Sequence, residues 1–273
     1  MATSTYNTVL AELKRINLET TFDAYIPSGE KTIQLRPLSI KNQKQIIKTA
    51  IDPTATNIQY SINMNDLLLQ SADTSNMLTV DKPALLIALR CNSLSNEIKV
   101  ANSDEEKPVT INLRDVIDKY PETVTSEKYK SLITYKQRIN HEGITLAVRI
   151  PDIETDTKFL KECKGKLKKS TDAGESISEL YVYELAKYIE SVQFKTITED
   201  LSGNPTSVVN TVRFDTIPAA ECIEVVELLP MSINTKLVSY VTNTRDAESL
   251  FRNTTIDGEE YEIPIDATLF ALE

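Results

Sequence analysis

The chain has 273 residues, with 30 lysines and arginines against 40 aspartates and glutamates, for a formal charge of −10. That balance opposes nonspecific binding to nucleic acid, which depends on cationic side chains displacing counterions from phosphates. Six glycines stand where ordinary usage gives about nineteen, with one histidine and no tryptophan, so glycine-rich nucleotide loops and histidine-based sites have little to draw on. Hydrophobic residues at 41% still support a buried core without disulfides or metals.

Residues 1–21 form a polar arm with some helical character and lack the apolar core of a signal peptide. Residues 22–38 read as strand, turn and strand. Pro27-Ser28-Gly29-Glu30 supplies the turn chemistry, and Ile33 and Leu35 alternate with polar neighbours. Ser39 stands at an N-cap position ahead of Ile40, Ile46, Ile47, Ala50 and Ile51, and Asp52-Pro53 closes that helix. A second helix covers about residues 64–70. A third opens at Asp81 and Pro83 and carries Ala84-Leu85-Leu86-Ile87-Ala88-Leu89, which belongs in the core. This is the longest apolar run, far short of the ~20 residues needed to cross a bilayer.

The middle of the chain changes character. Residues 96–100 and 109–113 suggest two short strands joined by the acidic loop 102–107. A helical stretch at 126–134 precedes a hairpin, 135–140 with 144–150, around His141-Glu142-Gly143. Ile144, Leu146, Val148 and Ile150 share one face of its second strand, and Thr145, Ala147 and Arg149 the other.

In the last third, Ser176-Ile177-Ser178-Glu179 has the form of a capping box. Ile177, Leu180, Tyr181, Leu185, Tyr188, Ile189 and Val192 follow at helical spacing. Residues 194–200 and 207–214 predict a hairpin across the turn at 201–205. Pro218 opens a helix carrying Ile223, Val225, Val226, Leu228 and Leu229, which Pro230 ends. Ser232 is placed to cap the next, and Asp257-Gly258 suits a type I′ turn within a hairpin at 254–265.

These elements predict an α+β architecture: helical layers with small antiparallel sheets and an inserted β-rich subdomain. Its portions are residues 1–91 (strand plus helices), 92–150 (the β-rich insert) and 151–273 (helical, with β hairpins). The segment 165–174 is the best candidate for mobility.

Candidate chemistry is sparse. No two glycines lie closer than nine residues, so neither GxGxxG nor a Walker loop can be written. His141, in a hairpin tip, is poorly placed to act as a held base. Cys91, Cys163 and Cys222 lie 72 and 59 residues apart, form no CxxC, and suit buried thiols in a reducing compartment. The acid clusters Asp104-Glu105-Glu106 and Asp257-Gly258-Glu259-Glu260 fall in presumed loops or turns, where solvated surface is the expected role. Forty acids nonetheless leave a carboxylate-pair hydrolase as a competing reading. Lys158, Lys161, Lys164, Lys166, Lys168 and Lys169 are either a patch for an anionic partner or the solvated face of a helix. The apolar stripes at 176–192 and 218–229 either face their own core or dock a partner helix. The residues assign no catalytic, cofactor-binding or metal site.

Ile26-Pro27-Ser28-Gly29, then Leu35-Arg36-Pro37-Leu38-Ser39 and Lys41-Asn42-Gln43-Lys44-Gln45-Ile46-Ile47, resemble the baseplate hub family of T-even-type contractile-tailed bacteriophages. Tyr188-Ile189-Glu190-Ser191-Val192, Leu237-Val238-Ser239-Tyr240-Val241 and the ending Tyr261-Glu262-Ile263-Pro264-Ile265 extend the resemblance to about half the chain. Paired cysteines that look like metal knuckles in some relatives have no counterpart at 92–100 or 256–261, so no metal or other cofactor is carried over. The resemblance implies a non-enzymatic structural or interaction protein of the tail baseplate hub, made in the host cytoplasm. Its implied partners are other baseplate and tail proteins in an oligomeric assembly, with no nucleic acid or membrane. A hub assembly factor that leaves before the virion matures is the alternative.

Overall fold

The computed structural model describes residues 2–52, 56–74, 76–101, 108–167, 173–199 and 205–270. In chain order the elements begin α1 (Ala2–Glu19), β1 (Phe22–Ile26), β2 (Lys31–Leu35), α2 (Ile40–Ile51), α3 (Asn57–Ser71) and α4 (Lys82–Ser93). Then come β3 (Glu97–Val100), β4 (Val109–Asn112), α5 (Leu113–Ile117), α6 (Tyr120–Thr125), α7 (Glu127–Leu132), β5 (Lys136–His141) and β6 (Ile144–Arg149). The chain continues through α8 (Ile153–Leu167), α9 (Ala173–Ala186), β7 (Ile189–Glu199), β8 (Pro205–Arg213), α10 (Ala219–Glu227), α11 (Met231–Ser249), β9 (Asn253–Ile256) and β10 (Glu259–Glu262). Helices combined with small antiparallel sheets make this an α+β fold. The chain divides into two compact units, residues 1–129 with 248–273, and residues 130–247. Residues 92–150 contribute β3 and β4 to the first unit and β5 and β6 to the second.

In the first unit, α4 is the centre. Leu85, Leu86, Ile87, Ala88 and Leu89 are all at most 2% exposed, as expected of a helix apolar on every side. Pro83 sits in its first turn, where the missing N–H costs nothing. The β1–β2 hairpin pairs Phe22 with Leu35 and Ala24 with Ile33, which turns Ala24, Ile26, Ile33 and Leu35 inward. Its turn closes through Glu30 in the left-handed region, φ 47°. The final segment joins the same core. Phe251 meets Tyr120 and Tyr129 edge-on, with ring centroids 5.5 and 5.4 Å away, and the Tyr120 hydroxyl donates to the Phe251 carbonyl at 3.1 Å. At the β9–β10 turn Asp257 and Gly258 have φ of 51° and 90°, the type I′ signature.

Ser39 caps α2 through a reciprocal box with Asn42. The expected apolar face of α2 does not form: Ile46 is buried, whereas Ile40 and Ile51 are 85% and 75% exposed. The next helix begins at Asn57, well before the predicted residue 64, with Thr56 as its cap. Its inward side includes Asn63 and Asn65, so apolar spacing understated its length.

In the second unit, β5-β6-β7-β8 form an antiparallel sheet in that order. Ile139, Leu146, Val192 and Val212 make one cross-strand row, and the first three are buried. Val148 pairs with Ile189 while Ala147 pairs with Ser191, so Glu190 is the extra residue of a β-bulge. The helical stripe predicted through Val192 ends sooner: α9 stops at Ala186 and β7 starts at Ile189. Pairing with β6 takes the β-branched Ile189 and Val192 into the sheet, overriding a spacing that also fits a helix. Ser176 lies inside α9, not at its start, because the helix begins at Ala173. Likewise α11 begins at Met231, and the Pro230 carbonyl accepts from the Ile233 and Asn234 amides, placing Ser232 within the first turn. The acidic loop 102–107 and the turn at 201–204 lie outside the described residues, as do 168–172 of the segment expected to be mobile.

Candidate functional site

His141 ends β5, just before the Glu142-Gly143 turn whose φ values are 44° and 83°. Its ring lies 3.7 Å from the exposed Glu142 carboxylate. The three thiols are buried. Burial pushes the Cys163 and Cys222 thiols up to about 11, and raises that of Cys91, disfavouring the reactive thiolate. Among the described residues, no three His, Cys, Asp or Glu side chains are grouped to hold a metal ion.

A carboxylate-pair mechanism requires two acids facing each other across a cleft. The buried acids are arranged differently. Asp81 accepts from the Ser28 amide and hydroxyl, both at 2.7 Å, and from the Leu78 amide at 2.9 Å. It thereby ties the β1–β2 turn to the approach to α4. Burial raises its pKa to about 6, against the Ser28 and Leu78 hydrogen bonds and the charge of Lys31, which lower it. Asp156, in the other unit, bonds Lys187 Nζ at 2.6 Å, and Glu184 reaches the same nitrogen at 2.7 Å. Arg245 closes the cluster on Glu184 at 2.8 Å. Burial opposes the charge on Lys187, but Asp156 and Glu184 outweigh it and raise the pKa. Sequence reasoning used Asp81 only as a helix boundary and missed Lys187 and Asp156, since neither lies in a recognisable spacing.

Of the lysine run, Lys158, Lys161, Lys164 and Lys166 fall on α8, whose buried side carries Ile153, Phe159 and Cys163. Lys166 pairs with Glu179 at 2.6 Å and Lys158 donates to the Ile217 carbonyl at 3.3 Å. Lys168 and Lys169 lie outside the described residues.

Two surface features stand out. On α1, Tyr6, Val9, Leu10, Leu13 and Ile16 form a stripe at helical spacing, yet each is between 37% and 65% exposed. A helix in a folded protein gains most of its stability from packing its apolar face, and about half the surface of these residues is instead open to water. On the sheet, the face opposite the Ile139–Val212 row is polar and concave. Arg138, Ala147, Ser191 and Arg213 form one row across all four strands. That row lines a concavity of about 520 Å³ together with Lys136 and Glu190. Small side chains in the middle and long cationic ones at the ends make a trough. A second concavity, about 510 Å³, adjoins it through the shared Glu190 and Arg213.

No helix among the described residues is long and apolar enough to cross a membrane. No curated protein and no solved structure matches the chain. A family model described as T4 bacteriophage base plate protein matches residues 18–227, a span that takes in β1 to α10 and so draws on both units. The chain belongs to the T4 bacteriophage base plate protein family, a family of phage baseplate structural proteins.

Proposed function

We propose that this chain is a non-enzymatic component of the baseplate hub, made in the host cytoplasm and retained in the tail, where it joins neighbouring baseplate proteins in an oligomeric assembly. The family match over residues 18–227 carries this reading. Two physical features support it. The buried acids Asp81 and Asp156 are committed to internal partners instead of facing a cleft, and α1 holds an apolar stripe in water that a neighbour can cover.

The test is affinity capture of the tagged chain from infected cells, paired with mass spectrometry of purified particles. The expected result is capture of central baseplate proteins and a stoichiometric amount in particles. Capture without presence in particles assigns the chain to assembly alone, as a factor released before maturation. Failure to capture any tail component overturns the proposal.

A further inference from the structure

The open face of the β5–β8 sheet carries a charge opposite to that of the chain. Lys136, Arg138 and Arg213 line its trough against the single acid Glu190, although the whole chain has a formal charge of −10. We propose that this trough binds an extended acidic segment of a partner protein. The inference deepens the baseplate reading, on which it rests for the expectation of a protein partner.

The geometry follows from strand pairing. Arg138 and Arg213 stand on the two outer strands of the sheet in one cross-strand row. Three strand spacings separate them by about 14 Å. Between them Ala147 and Ser191 raise no long side chain, and Ser191, 8% exposed, forms a polar floor. The Glu190 bulge interrupts the ladder beside this floor. An extended peptide advances about 3.4 Å per residue, so carboxylates about four residues apart reach both guanidinium groups. Guanidinium forks match carboxylates in two parallel hydrogen bonds.

Lys136 and Arg138 are exposed and have no acidic partner among the described residues. Arg213 is held by Asp215 through bonds of 2.7 and 3.1 Å, which orient its guanidinium at the trough's end. The pair is solvent-exposed, and such pairs are weak enough to exchange partners. The acids Asp152, Glu154 and Asp215 line the adjoining concavity, not this one. No aromatic side chain lines the trough, so nucleic-acid bases have no surface on which to stack.

The test uses the full chain and a fluorescein-labelled peptide with glutamates at four-residue intervals, its all-glutamine counterpart, and labelled oligothymidylate. Fluorescence anisotropy at low ionic strength reads binding. The glutamate peptide is expected to bind and the glutamine peptide not, with salt weakening the complex. Lys136→Glu/Arg138→Glu is expected to cost at least about tenfold in affinity, with an unchanged melting curve because both side chains are exposed. Ala147→Glu, which places a carboxylate on the trough floor and leaves the cations alone, is expected to give a similar loss.

Equal binding by wild type and both variants overturns the proposal. So does oligothymidylate binding as tightly as the peptide, or displacement of the peptide by millimolar inorganic phosphate. Self-association of the chain that the same variants abolish assigns the trough to a second copy and overturns the partner assignment. None of these readings involves particles or lysates, so they fail or succeed independently of the capture experiment.

Discussion

Lys187 Nζ lies 2.6 Å from Asp156 Oδ1, and the two side chains are only 10% and 6% exposed. This ion pair joins the start of α8 to the turn between α9 and β7, and Glu184 and Arg245 extend it. Buried pairs add little net stability, but removing one partner leaves an uncompensated charge. Lys187→Met is therefore expected to cost about 3–5 kcal/mol. Lys187→Met/Asp156→Leu should recover a large part of that loss. Urea unfolding of the three proteins measures both. A single substitution costing less than about 1 kcal/mol would mean the carboxylate escapes to water.

Asp81 predicts a pH dependence of definite sign. Burial raises its folded pKa to about 6, above the 3.8 ordinary for an aspartate in water. The folded chain then holds the proton more tightly than the unfolded chain. Stability from this group is complete below about pH 4 and falls as pH rises through about 6, by roughly 3 kcal/mol in all. Other carboxylates contribute their own pH dependence, so the useful quantity is wild type minus Asp81→Asn. That difference is expected to fall between about pH 4 and pH 7 in thermal melts, wild type losing stability relative to the variant as pH rises; a constant difference contradicts it.

The thiols offer a direct check on the core. Cys91, Cys163 and Cys222 are 8%, 0% and 0% exposed. A disulfide-exchange reagent such as Ellman's should titrate fewer than one thiol in the native protein and all three after unfolding. Rapid native reaction at Cys163 or Cys222 is inconsistent with thiol pKa values pushed to about 11.

The α1 stripe separates stability from association. Val9 and Leu13 are each 53% exposed. Val9→Asp/Leu13→Asp should change folding stability by less than about 1 kcal/mol, since both side chains are already half in water. Capture of baseplate partners from infected cells should fall sharply. A large drop in melting temperature would show that the stripe is part of the core.

Several features were legible in the residues because their causes are local. Asp257-Gly258 demands two positive φ values and so specifies the β9–β10 turn. Ser39 can satisfy the Asn42 amide three residues on, within the first turn of α2, and Pro83 needs no amide partner at all. The run at 84–89 has no polar side to present to water, which was enough to identify the central helix. The resemblance carried by residues 22–51 and 181–270 pointed to the baseplate family that the match over 18–227 establishes.

Pairing across distance decided the rest. Whether Ile189 and Val192 finish a helix or start a strand depended on the hydrogen bonds of β6, absent from any local window. Asp81 and Ser28 are 53 positions apart, and Lys187 and Asp156 are 31 apart, so their attraction has no signature in spacing. Arg138 and Arg213 share a row solely because three strand registers align them. The sequence by itself determined the Asp257-Gly258 turn, the Ser39 cap, the apolar centre and the absence of glycine-rich loops, each set by the conformational or solvation preference of neighbouring residues. The tertiary structure decided which charges are buried together and which are left facing outward, because Coulomb energy and desolvation depend on separation in space and not along the chain.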